Sequence, residues 1–317
     1  MINLSFVYIV SAVLQVFLIG AAGFFLFRKN IIDHKGLDLL AWLLVNLFMP
    51  CFIFTNLTSQ VNFIKTNGWY VFTLIGFAIV LIGIAISGLI FFLNPRIKEK
   101  HEFTALVSFQ NSGYIPLILV ANLFEGSLAQ GLFVGIFLLL IAFDISLWSL
   151  GVALVTKKKL KDVNLRSLIN PPIITLVFTL SVIFFGLDNF IPQIIVKPVK
   201  LLGGCVLPMA MLVIGGNLAA IKLGQIKSDM VWAVICKLIV FPLLALGVIW
   251  VFKPNFLISF IIMLEAAMPS AVHLSLLSRY FKTEDEIINS GVFYSHIFSV
   301  FTVPVFLVIL SKMMGMG

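Results

Sequence analysis

Long apolar runs separated by short polar connectors make up almost the whole chain. Ten runs can be read, at residues 5–27, 38–58, 69–93, 102–123, 127–155, 168–187, 198–221, 230–252, 256–280 and 286–311. At about 1.5 Å of rise per residue, each is long enough to be read as a helix crossing about 30 Å of hydrocarbon. Two runs are interrupted from within. Gln110-Asn111-Ser112-Gly113-Tyr114-Ile115-Pro116 falls inside the fourth, and Glu265-Ala266-Ala267-Met268-Pro269-Ser270-Ala271-Val272-His273 inside the ninth. Proline lacks an N–H and clashes with the carbonyl four residues back, so each interruption loses backbone hydrogen bonds where no water replaces them. Such backbone is tolerated where it lines a protein cavity, and two broken spans in one chain point to a transporter's midplane site.

The longest polar segment, from Lys157 through Lys161 to Arg166, divides the runs into five and five. The domain reading is therefore a first repeat over 1–155, a basic linker over 156–167 and a second repeat over 168–317. An odd number of spans per half makes the halves enter the membrane from opposite sides, an inverted repeat. Trp69 and Trp232, Pro50 and Pro208, and Pro116 and Pro269 match in order and span type between the halves. Asn170-Pro171-Pro172 reads as a helix start, with a capping side chain followed by prolines in the first turn.

Composition sharpens the class: 61% hydrophobic and only 11% charged residues, with a mean hydropathy of +1.16, describe a polytopic membrane protein. The formal charge of +8 reflects topology rather than a nucleic-acid partner, because the basic residues lie in short loops and form no basic helical face. Loops after odd-numbered spans hold 15 Lys and Arg, and the even loops with the C-terminal tail hold 5. The positive-inside rule then places the odd loops in the cytoplasm and both termini outside the cell membrane. The N-terminal stretch has no positive n-region and no small-residue cleavage site, so the first run is read as a retained span. Cys51, Cys205 and Cys236 all fall in apolar runs without disulfide or metal spacing. No nucleophile–base pair, phosphate loop, metal cluster or cofactor motif is present. The chain is read as no enzyme, with no cofactor, and its transport as secondary.

Candidate chemistry concentrates in the broken runs. Asn111 and Ser112 offer donors and acceptors, Gly113 permits close approach and Pro116 frees a carbonyl; the alternative is a kinked helix whose polar groups pair with neighbours. If both helices unwind and cross, their half-helix N-termini converge, which favours an anion. Glu265 is an embedded carboxylate that has to be paired, protonated or functional. Lys237 is either its partner or a side chain snorkelling to the interface. Asp144 is the other embedded acid, either protonated or coupled to a cation. His273 and His296 offer a proton relay or simple packing. Asn46, Asn56 and Asn217 are candidates for a cavity wall, while Gly203-Gly204 and Gly215-Gly216 suit helix contacts.

These residues resemble the auxin efflux carrier superfamily, which includes the plant PIN transporters and bacterial permeases annotated for malate or malonate. The resemblance is carried by Val45-Asn46-Leu47-Phe48-Met49-Pro50, Asn111-Ser112-Gly113-Tyr114 with Pro116, Leu147-Trp148-Ser149-Leu150-Gly151 and Asn170-Pro171-Pro172-Ile173-Ile174. It continues through Leu207-Pro208-Met209-Ala210, Ile214-Gly215-Gly216-Asn217-Leu218-Ala219, Lys237-Leu238 with Pro242, and Met268-Pro269-Ser270-Ala271-Val272. The short linker is similar to that of bacterial members. The family often has Gly-Leu-Pro where this chain goes directly to Ile115-Pro116, and Asn where it has His273. The resemblance implies two inverted five-helix repeats crossing at spans four and nine. It also implies a dimerising scaffold from spans 1, 2, 6 and 7, a transport domain from spans 3–5 and 8–10 moving as an elevator, and small organic anions as substrates.

The expected function is a secondary carboxylate transporter in the lipid bilayer, working as a homodimer. The substrate set is Asn46, Asn111, Ser112, Gly113, Pro116, Met268, Pro269, Ser270 and His273, and the ion-coupling set is Glu265, Asp144 and Lys237. The rival reading is a substrate-gated receptor on a transporter-like scaffold, against which the lack of a soluble output domain counts.

Overall fold

The computed structural model describes residues 5–61, 68, 70–160, 170–283 and 285–315. Trp69 and the linker residues from Lys161 to Arg166 lie outside the described residues. Among the described residues, twelve helices of nine or more residues follow one another: α1 (Phe6–Arg28), α2 (His34–Thr58), α3 (Tyr70–Leu93), α4 (Lys100–Ser108), α5 (Tyr114–Leu123), α6 (Gly126–Thr156), α7 (Pro171–Phe184), α8 (Gln193–Ala220), α9 (Ser228–Phe252), α10 (Phe256–Ala267), α11 (Val272–Tyr280) and α12 (Glu286–Met313). Seven are long and apolar enough to cross a membrane, and three shorter apolar helices, α5, α7 and α10, fall in the fourth, sixth and ninth expected spans. The protein is an all-helical, multi-pass membrane protein. Its outer face is apolar: Leu18, Phe92 and Leu201 are among its exposed large side chains, as lipid contact requires.

Local chemistry sets the helix starts. The Asp33 carboxylate accepts the Gly36 N–H at 2.7 Å, Asn170 accepts the Ile173 N–H at 3.0 Å, Asn255 accepts the Ile258 N–H at 3.0 Å, and Asp285 accepts those of Ile287 and Ile288 at 2.9 and 3.1 Å. Asn170 with Pro171 and Pro172 in the first turn is the start expected from sequence. Helices α2 and α8 begin four and five residues before the expected apolar runs, because His34-Lys35 and Gln193 with Lys197 are helical yet too polar to count as span. Helix α8 carries a turn at Cys205.

Three spans contain a wide π turn, at Leu44–Phe48, Leu147–Gly151 and Cys236–Val240. In the first and third a proline, Pro50 or Pro242, follows two residues later. Its ring would collide with the carbonyl four residues back in a regular helix, and widening the preceding turn removes that collision.

Packing is closest within two sets of helices. In one, α1 crosses α8, and α2 packs on α7 and α8. The α1–α8 crossing depends on glycine: a Cβ on Gly215 would run into the Gly20 carbonyl, and one on Gly23 would lie 2.7 Å from the Leu212 Cα. Gly203 approaches the Phe52 backbone in the same way, whereas Gly204 faces open space. In the other set, α3 packs on α4 and α6, and α12 packs on α4, α9, α10 and α11. At the end bearing most basic loops, Lys157 closes α6 with a left-handed φ of 55° and pairs with the buried Glu102 carboxylate of α4. At the opposite end, Gln60 donates to Gln130 at 2.6 Å and the Tyr8 hydroxyl to the Asn122 carbonyl at 3.0 Å, tying the two sets together.

A candidate anion site where two broken helices cross

Helices α4 and α5 are separated by residues 109–113, and α10 and α11 by residues 268–271. These gaps pair with each other. Gln110 and Ser270 form an antiparallel bridge, the Asn111 N–H donates to the Pro269 carbonyl at 2.8 Å, and the Ala271 N–H donates to the Phe109 carbonyl at 2.9 Å. Two breaks that would each strand backbone groups in an apolar interior therefore satisfy one another. Side chains reinforce the crossing: the Ser270 hydroxyl donates to the Leu106 carbonyl at 2.7 Å, and Ser295 Oγ of α12 accepts the Ser270 N–H at 3.1 Å.

Both prolines act differently from a kink inside a continuous helix. Pro116 occupies the third position of α5, where the missing N–H has no intrahelical partner in any case, so it favours the start of a half-helix. Pro269 lies in the gap itself and uses its carbonyl as the acceptor for Asn111. The N-termini of α5 and α11 both begin at the crossing, each with a partial positive charge of about half an elementary charge.

A cavity of about 250 Å³ opens against this point. Asn111, Ser112, Gly113, Tyr114 and His273 line it from the crossing, Asp144 and Trp148 from α6, Val45 and Met49 from α2, and Asn170 and Ile173 from the start of α7. The Tyr114 and His273 rings stack with centroids 6.0 Å apart. Ser112 is 1% exposed, and its hydroxyl, on the cavity wall, also interacts with the Glu265 carboxylate behind it.

The structure brings Asn111, Ser112, Gly113 and His273 of the expected substrate set onto the cavity wall. Pro116, Met268, Pro269 and Ser270 are in the crossing behind it and shape the backbone. Asn46 is not among the lining residues; its amide donates to the Trp42 carbonyl at 2.9 Å, and its neighbour Val45 faces the cavity instead. Asn56 likewise donates to the Phe52 carbonyl at 2.8 Å. Tyr114, Trp148 and Asn170 were quoted in motifs without a site role. Tyr114 directly follows the Asn-Ser-Gly break, the one local signal that marked it.

The ion-coupling candidates separate into two places. Asp144 is on the cavity wall. Glu265 and Lys237 are fully buried and line none of the cavity; Glu265 Oε2 accepts from Gln110 Nε2 at 3.3 Å. Lys237 Nζ has no hydrogen-bond partner and lies over the Phe241 ring, 4.4 Å from its centroid. Lys237 thus neither hydrogen-bonds Glu265 nor reaches for the interface. His296 is packed against its own helix, Nδ1 against the Val292 carbonyl at 2.8 Å. Among the described residues no group of three His, Cys, Asp or Glu is placed to hold a metal ion.

The two broken helices exchange backbone bonds beside a small cavity with polar groups on one wall. The chain belongs to the membrane transport protein family, that of the auxin efflux carriers, whose profile matches residues 8–159 and again residues 154–307. An uncharacterized transporter of Methanothermobacter thermautotrophicus is 26% identical over 313 residues, covering 95% of this chain and 98% of that protein. One of Methanocaldococcus jannaschii is 27% identical over 137 residues, 42% of this chain and 44% of its own length. One of Schizosaccharomyces pombe is 31% identical over 121 residues, 36% of this chain and 26% of its own.

Proposed function

We propose that the protein is a secondary transporter of small organic carboxylates, held at the crossing by Asn111, Ser112 and His273 together with the N-termini of α5 and α11. The observation that carries this reading is a cavity of about 250 Å³ at two converging helix N-termini, with the Asn111 and Ser112 side chains on its wall, a space that suits a small molecule. The profile matches of the two halves support ten spans in two inverted repeats. The α1–α2–α7–α8 set is the scaffold and dimer face, and the remaining helices form the body that moves as an elevator. Both termini are outside, and the bonds of Gln60 and Tyr8 hold the outer side closed.

Coupling belongs to Glu265. Behind the crossing, it reaches the site through the Gln110 amide and the Ser112 hydroxyl, so its charge state is felt at the wall where the anion is held. Asp144, by contrast, shares the cavity, and its negative charge would repel a carboxylate there. Counterflow in proteoliposomes with labelled mono- and dicarboxylates tests the reading. Exchange that is lost in Ser112→Ala and Asn111→Ala is expected. Binding without exchange would replace transport by sensing, and a chemically altered product would make the protein an enzyme.

A further inference from the structure

A second polar cavity lies on the other side of α11, and the transport reading makes no use of it. On α11, His273 lines the first cavity, while Val272, Ser275 and Arg279, at i, i+3 and i+7, line this second space of about 330 Å³, and Leu276 stands between the two. Its opposite wall is the start of α2, the end of α8 and the segment after it, with Asn217 and Lys222; the first turn of α12 closes it with Glu286. The walls thus come from both sets of helices.

Three features give this space a chemical preference. Lys222 and Arg279 supply two cations, against the single lining carboxylate of Glu286; Asp38, 4.0 Å from Arg279, is largely solvent-exposed, and His34 completes the charged or titratable lining. The Glu286 side chain is packed against the backbone at Gly224, where an added Cβ would come within 2.6 Å of its Oε2, and the Gly224 N–H is held by Ser290 Oγ at 3.1 Å. Ser275 is 8% exposed, yet its hydroxyl has no partner. A buried hydroxyl left unbonded on a cavity wall with two cations is a donor awaiting an acceptor.

We propose that this cavity is a separate binding site for a small soluble oxyanion, a phosphate or carboxylate, bonded by Ser275 and neutralised by Lys222 and Arg279. An anion there bridges α8 to α11 and so fastens the two helix sets together at the end bearing the basic loops. It holds whether or not the central site carries carboxylates, since its donors are not those of the crossing.

The test is protection from thiol labelling. Cys51, Cys205 and Cys236 are replaced by Ala, Asn289→Cys is introduced on the cavity wall, and its rate of reaction with a neutral maleimide is followed in zwitterionic nanodiscs with inorganic phosphate or succinate added. Either anion should slow labelling. Ser275→Ala, or Lys222→Gln at an exposed position that leaves the fold alone, should raise the concentration needed by about tenfold or more, the effect of one charge-assisted hydrogen bond. Asn111→Ala should leave protection unchanged. Protection that disappears in Asn111→Ala but survives Lys222→Gln would assign the effect to the crossing and overturn the proposal. So would protection only in nanodiscs of anionic lipid, which would make the occupant a headgroup, and so would no protection at all.

Discussion

Ser295 and Ser299 lie one turn apart on α12, both fully buried, and replacing each by Ala should have unequal consequences. Ser299 Oγ only donates to the His296 carbonyl at 2.8 Å, so Ser299→Ala removes a bond without orphaning a donor. Ser295 Oγ donates to the Val292 carbonyl at 2.8 Å and also accepts the Ser270 N–H at 3.1 Å. Without it, a backbone N–H in the middle of the crossing is left unbonded at a residue with 0% exposure. That penalty is about 1–3 kcal/mol beyond the ordinary loss of one bond. For a chain of this size it lowers the apparent unfolding temperature by about 1.5–4.5 °C. Thermal unfolding in detergent, followed by intrinsic fluorescence at one scan rate, compares Ser295→Ala, Ser299→Ala and Ser295→Thr, the last retaining a hydroxyl. Ser295→Ala should unfold first, Ser295→Thr should recover most of the difference, and proteoliposome exchange should fall in the same order. Indistinguishable unfolding of Ser295→Ala and Ser299→Ala would refute the claim that the crossing depends on this acceptor.

Four further outcomes follow from the same geometry. Lys157→Met leaves the buried Glu102 carboxylate without its cation and should cost about 2 kcal/mol, below the range for a fully buried pair because Lys157 is half exposed; Glu102→Gln in the same chain should restore stability. The hydrogen bond to Glu102 raises the Lys157 pKa above its ordinary value, so the pair's contribution is intact below the ordinary lysine pKa and is lost as pH rises through the raised one; a stability profile flat across the alkaline range would contradict this. Cysteines in place of Gln60 and Gln130, joined by a short reducible bifunctional reagent, should stop exchange until reductant is added, and undiminished exchange in the cross-linked protein would rule out separation of these two residues during transport. Glu265→Gln should preserve substrate binding and flatten the dependence of uptake on the pH gradient, with Asp144→Asn as comparison; loss of binding, or a flattening produced by Asp144→Asn alone, would move coupling away from Glu265.

The helices and the crossing were legible in sequence for different reasons. Spans announce themselves through uninterrupted apolar length, and the breaks through Asn, Gly and Pro in segments where each is costly. The wall of the cavity contributed by α2 and α7 was not legible. Val45, Met49 and Ile173 are apolar residues among many, and only the fold decides which of them face a cavity and which face lipid. Asn46 drew attention as a polar residue in an apolar span, but the bond of its amide to the Trp42 carbonyl, which leaves Val45 on the cavity wall, is a matter of local helix geometry that composition does not reveal. Glu265 stood out as an embedded acid, but its partner Gln110 is 155 residues away in the chain, beyond any local pattern. Lys237 interacts with Glu265 through charge without a hydrogen bond, and the aromatic face of Phe241 under its ammonium is a contact that only the fold reveals.

The exchanged backbone bonds at the crossing also bear on how the protein is made. When the first half leaves the ribosome, the Asn111 N–H and the Phe109 carbonyl have no acceptor or donor of their own, since both belong to partners in the second half. The Ser270 hydroxyl that later closes on Leu106 is 164 residues further along the chain. Until those residues have been synthesised and inserted, the nascent first half holds an open gap in its fourth span, which local helix formation, water or the insertion machinery has to cover. Maturation therefore ends with a late docking step between two halves already in the membrane, and a chain truncated before α11 should remain bound to quality-control factors even though most of its spans are in place.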